Sequence, residues 1–141
     1  MGYDFENAKG DERWNAFSWP RVLTFAHDIG GWEPKGTTLY RYRDSSRTDK
    51  VSSKDWSGSY HSNDWQVISK EDGMALAAAL RRALEVPLGF ERFFDGFFEN
   101  VVCFDEHGQI VAMTPEEAAR SFREHVVEFA DYVDGEETVI A

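Results

Sequence analysis

The groups best suited to chemistry at neutral pH are four histidines, His27, His61, His107 and His125, and a lone thiol, Cys103. No two of the histidines stand at a metal-ligand spacing. His125 lies beside Glu124 and one turn before Glu128, a set that would hold a cation only if it faced a cleft. An exposed helix face explains the same spacing, so no metal is assigned. Cys103 and His107 would form a nucleophile pair if the imidazole reached the sulfur. A single Cys between Val102 and Phe104 also reads as a small buried hydrophobe. His61 with Asp64 is the remaining acid–base candidate, in a small-molecule site shared with Trp32 and Tyr40. Against it, Asp64 within Ser62-Asn63-Asp64-Trp65 has the residue types that stabilise a turn through their own backbone. The chain contains no Gly-rich phosphate loop, no G-x-S-x-G, no H-E-x-x-H and no zinc cysteine pair. No catalytic residue and no cofactor is therefore assigned.

Binding chemistry is better represented. Tyr40-Arg41-Tyr42-Arg43, continued by Arg47, Lys50, Lys54 and Trp56, interleaves rings that stack bases with cations that meet phosphates, the pattern of a single-stranded nucleic-acid binder. Charge opposes that reading. Residues 1–34 carry 3 basic and 6 acidic side chains, residues 35–56 carry 6 and 3, and residues 57–141 carry 6 and 17, giving −3, +3 and −11. A net charge of −11 repels phosphate backbones and anionic membranes alike. The basic segment reads better as a solvated loop, or as an intramolecular partner for the acidic helices. The acidic surplus points to a protein partner with a basic surface, met by Glu117, Glu124, Glu128 and Asp131 on one helix face. Trp32, Tyr40, Tyr42, Trp56, Tyr60, His61, Asn63, Asp64 and Trp65 are the companion aromatic and polar candidates. Trp56, Tyr60 and Trp65 around one tight turn cannot all enter the core, because successive strand side chains point to opposite faces. Either they form a recognition surface, or the segment 41–55 folds over them and Trp65 tucks under the following helix.

At 141 residues, with 42% hydrophobic and 15% aromatic content, the chain is expected to be one domain with an adequate core, residues 1–13 and 44–55 being mobile. Ser18-Trp19-Pro20 predicts a capped helix over 18–29, with Trp19, Val22, Leu23, Ala26 and Ile29 on one stripe and Gly30-Gly31 as its stop. Ser59-Tyr60-His61 and Gln66-Val67-Ile68 predict a hairpin leading into a second helix over 70–86. Ser69 would cap that helix, Asp72 would reach back to it, and Pro87 would end it. Gly73 in the first turns predicts a tight contact with a neighbour, since Gly there costs ~1 kcal/mol relative to Ala. Phe90, Phe93, Phe94 and Phe97 suggest a short helix, and residues 101–104 and 109–113 two strands. Thr114-Pro115-Glu116-Glu117 opens a third main helix over 115–133, with Ala119, Phe122, Val126, Phe129 and Val133 buried. Thr138-Val139-Ile140 would add a strand. The expected fold is α+β, three main helices packed on short antiparallel strands and hairpins.

Residues 19–37, W-P-R-V-L-T-F-A-H-D-I-G-G-W-E-P-K-G-T, and residues 56–80, W-S-G-S-Y-H-S-N-D-W-Q-V-I-S-K-E-D-G-M-A-L-A-A-A-L, together resemble a family of small uncharacterised bacterial proteins. That family pairs a G-W-x-P-x-G-T turn with a G-x-Y-x-S-N-D-x-Q-x-V hairpin and an Ala/Leu helix. Trp65 and Gly73 depart from its pattern. The resemblance implies a shared architecture and brings no catalytic residues. One Cys, no apolar run of spanning length and no secretory pattern make the cytoplasm the expected location. Glu6 stands where a myristoylation signal needs Ser or Thr. The function expected is a small acidic protein-binding module of the inhibitor or immunity type, with a small enzyme and a nucleic-acid binder as alternatives.

Overall fold

Tyr3, Phe5 and Trp14 alternate with Asp4, Glu6 and Arg13, and this period of two folds the start of the chain into a hairpin, β1 (Gly2–Asn7) and β2 (Gly10–Asn15). Residues 1–13 were expected to be loose; instead they supply Phe5 and, just beyond, Trp14 to the core. The structure is a computed structural model and describes residues 2–35, 38–39, 60–61, 66–99, 103–111 and 113–141, the backbone alone at 38–39 and 103–104.

The hairpin is followed by α1 (Ser18–Asp28), β3 (Thr38–Leu39), β4 (Gln66–Ile68), α2 (Lys70–Glu85), α3 (Gly89–Phe93), β5 (Cys103–Phe104), β6 (Ile110–Val111), α4 (Pro115–Val133) and β7 (Thr138–Ile140). The α+β class and the three main helices stand as read from the sequence. Capping explains their boundaries. Thr114 Oγ1 accepts the Glu117 amide at 3.1 Å and Ser69 Oγ accepts the Asp72 amide at 3.1 Å. Ser18, expected as the first cap, is itself helical. Asn15 Oδ1 takes the Phe17 and Ser18 amides instead, at 3.0 and 2.7 Å, so the last residue of β2 starts α1. At the other end Gly31 adopts φ +71°, and Trp32 N–H donates to Ala26 O at 2.9 Å while Gly31 N–H donates to His27 O at 3.0 Å. This is a left-handed glycine stop, with both bonds one residue wider than in a Schellman motif.

β1, β2, β3, β4 and β7 form one antiparallel sheet in the order β2-β1-β7-β4-β3. β7 pairs with β1 through Phe5 and Ile140 and with β4 through Gln66 and Ile140. Both sides of β4 are thus taken by β7 and β3, and the expected hairpin between residues 59–61 and 66–68 does not form: Tyr60 sits in a turn at φ +68°. β5 and β6 pair separately around Asp105. On one face of the sheet Phe5, Trp19 and Phe129 meet edge-on, with centroids 4.8–5.4 Å apart, in contacts worth ~1 kcal/mol each beyond burial. α2 approaches its neighbours through glycines. A Cβ on Gly73 would lie 2.7 Å from Val133 O, which is the close contact its position implied, and one on Gly30 would collide with Ala79 O.

Each helix C-terminus receives a basic side chain from elsewhere. Arg82 donates to Gly30 O beyond α1, Arg123 to Leu84 O on α2, Arg21 to Phe93 O on α3, and Lys9 to Asp131 O and Asp134 O on α4. Carbonyls left unpaired at a helix end carry partial negative charge, and a cation there satisfies and neutralises them.

Candidate binding surfaces

Trp32 and Tyr60, read as surface aromatics, are core residues, 1% and 0% exposed. Their rings stack with centroids 6.0 Å apart. Trp19 Nε1–H fixes the Tyr60 carbonyl at 2.7 Å, and the Tyr60 hydroxyl donates to Asp72 Oδ2 at 2.6 Å. Asp72 Oδ1 accepts the Lys35 amide at 2.9 Å, so this carboxylate ties α2 to the segment after α1. Burial, and then the Asp72 hydrogen bond, push the Tyr60 hydroxyl far above its ordinary value. The phenol stays protonated and acts as a fixed donor, which suits holding a left-handed backbone turn and not proton transfer. Sequence reasoning missed this because exposure was inferred from a strand pairing that does not exist.

His61 is half-buried, and its carbonyl accepts the Tyr3 hydroxyl at 3.1 Å. Its intended partner Asp64 lies outside the described residues, as do Tyr40, Tyr42, Trp56, Asn63 and Trp65. The aromatic–basic segment 40–56 lies there too. Asp72, the buried carboxylate among the described residues, is committed to Tyr60 and Lys35.

Glu117, Glu124, Glu128 and Asp131 are all exposed on α4 as expected, but they are not equivalent. Glu117 serves the N-cap, its Oε1 accepting from Thr114 Oγ1 at 3.2 Å. Asp131, with Asp134, clamps the Arg81 guanidinium at 2.7 and 2.8 Å. The two carboxylates raise the Arg81 pKa further. Glu124 and Glu128 have no ion-pair partner among the described residues, and Val127 between them is 46% exposed. His125 turns the other way, stacking on Trp14 with centroids 3.9 Å apart and placing Nε2 3.3 Å from Glu12 Oε2. The cation set with Glu124 and Glu128 is therefore not assembled. No cluster of His, Cys, Asp and Glu able to hold a metal occurs among the described residues. His107 is exposed beside Glu106, with Nε2 and Oε1 3.4 Å apart, and the Cys103 side chain lies outside the description.

Three further features were not singled out from sequence. Phe17, 83% exposed, precedes α1 and falls off its apolar stripe, which is the signal that would have found it. A shallow trough of ≈ 550 Å³ runs along the hairpin beside Asp4, Glu6, Asp11, Glu12 and Arg13. A second cleft, ≈ 260 Å³, opens between the turns after α3 and the start of α4, with Phe90, Phe94 and Phe98 beneath and Glu91, Asp95, Glu99 and Glu116 around it. Acidic residues at one-turn intervals in Glu91, Asp95 and Glu99 were visible in the sequence, but only the fold sets them over phenylalanines. No helix among the described residues is long and apolar enough to cross a membrane. No family model, curated protein or solved structure matches the chain.

Proposed function

We propose that this protein is a small acidic binding module, of the kind used by inhibitors and immunity proteins, which docks the outer face of α4 on a basic surface of a partner protein. The observation that carries the reading is the acidic pair Glu124 and Glu128, which has no ion-pair partner among the described residues and flanks the exposed Val127, on a chain of net charge −11. Like charges held one turn apart on a rigid helix cost the fold repulsion. They favour encounter with an opposite surface, raising association rates and setting orientation. With Trp32 and Tyr60 in the core, charge rather than a hairpin of rings is the recognition feature the described surface offers.

Capture from host lysate on immobilised protein, at low and high salt, tests this directly. The expected result is a partner retained at low salt, released as salt rises, and lost on the double change Glu124→Lys and Glu128→Lys. Both residues are exposed, so the double change leaves folding intact. Absence of any captured partner at either salt concentration, or capture unaffected by the double change, would overturn the proposal.

A further inference from the structure

The aromatic cluster between α1, α3 and α4 is flanked by two guanidinium groups of the chain itself. Arg21 Cζ lies 4.7 Å from the Phe93 centroid and 5.8 Å from Phe94 and Phe97, and Arg123 Cζ lies 5.3 Å from Phe90. Each arginine combines ring contact with a hydrogen bond to a carbonyl, Arg21 to Phe93 O at 2.9 Å and Arg123 to Leu84 O at 3.0 Å. The cluster is thus a surface on which arginine side chains already lie.

On its remaining side the cluster opens into the ≈ 260 Å³ cleft floored by Phe90, Phe94 and Phe98. Its rim is Glu91, Asp95, Glu99 and Glu116, and no basic side chain lines it among the described residues. Only Glu91 has an ion-pair partner in the described structure, Arg123 at 3.9 Å, and both of those side chains are well exposed. The N-terminus of α4 adjoins the cleft and would by itself disfavour a cation. Glu116 and Glu117 in its first turn offset that partial charge, and Thr114 satisfies one of the free amides. The volume lies below that of typical small-molecule pockets and suits one side chain.

We propose that this cleft seats an arginine side chain of the basic partner protein, a proposal that rests on the acidic docking reading and adds an anchor to it. A guanidinium is planar, weakly hydrated and carries five donors, so it can lie on rings while serving several carboxylates at once. A lysine ammonium is more strongly hydrated and stacks less well.

The test is an NMR titration of the isotope-labelled protein with N-acetyl-arginine amide, and in parallel with N-acetyl-lysine amide. Saturable shifts are expected at the amides of residues 91–99 and 116–119, with arginine binding several-fold tighter than lysine. The triple change Asp95→Asn, Glu99→Gln and Glu116→Gln affects exposed side chains and should weaken arginine binding about tenfold at low ionic strength. Equal response to lysine, no response at these amides, or no effect of the triple change would each overturn the proposal. Glu124→Lys with Glu128→Lys should leave this titration unchanged, which separates the two readings. Cleft shifts without loss of capture on that reversal sink the α4 surface and sustain the cleft; loss of capture without cleft shifts does the reverse.

Discussion

Tyr60 shows how one residue can look like a ligand site and be a structural pin. Its left-handed φ of +68° costs an L-residue about 1–2 kcal/mol, and the Trp19, Trp32 and Asp72 contacts offset that. Tyr60→Phe keeps the ring and removes the donor, leaving the buried Asp72 carboxylate short of a partner. The change should lower unfolding free energy by about 1–3 kcal/mol in a urea titration, with no change in partner capture. Alkaline pH probes the same bond. The folded hydroxyl titrates above its ordinary value of 10.0, so the unfolded chain releases its proton first. Stability from Tyr60 is therefore full below about pH 10 and falls as pH rises beyond it, by up to about 1.4 kcal/mol per pH unit. Unfolding curves recorded from about pH 9 to pH 11.5 should show this decline, and Tyr60→Phe should lessen it, the remainder coming from Tyr132 and Tyr3, whose hydroxyls burial also raises.

Helices were legible from local chemistry because their start and stop signals are local. Thr114 and Ser69 cap as their spacing predicts, and Gly73 meets Val133 O as its awkward place in a helix predicts. Pairings between distant segments were not legible, since nothing in Gln66-Val67-Ile68 distinguishes a nearby strand from β7. The hairpin of residues 2–15 was hidden for another reason. Its apolar alternation is carried by Tyr3, Phe5 and Trp14 alone, and Asp4, Glu6, Asp11 and Arg13 alternate with them on the opposite face. Of the candidate site, the acidic α4 face could be read from the helical period, whereas the burial of Trp32 and Tyr60 depends on Asp72 and Lys35 arriving from other elements. Two helix-level outcomes follow from the packing. In an open helix Gly73→Ala would add up to about 1 kcal/mol of stability, but here its Cβ would press on the backbone oxygen of Val133, and overpacking of about 1–3 kcal/mol prevails. The melting temperature should drop. Asn15→Ala removes the acceptor for the Phe17 and Ser18 amides and should cost about 1 kcal/mol by the same measurement.

Across the whole molecule, charge and topology pull in different directions. Seventeen acidic against six basic groups after residue 57 repel one another when folded. Moderate salt should therefore raise the melting temperature even as it weakens partner capture, a pairing of opposite responses that calorimetry and pull-down can check together. Topology is held at one place. β7 joins the β2-β1 hairpin to β4 and β3, and Asn7 Nδ2 spans from Tyr132 O to Thr138 Oγ1, a contact between positions 131 apart in the chain. β7 follows the other four strands of this sheet in sequence, so during synthesis it is the last of the five to leave the ribosome. Until it does, β1 and β4 each present an open edge with nothing between them, and loop closure over so long a span comes late. A nascent chain paused before Thr138 is thus a sheet with its middle missing, and a chaperone or a second nascent chain meeting it would find two edges ready to accept a strand.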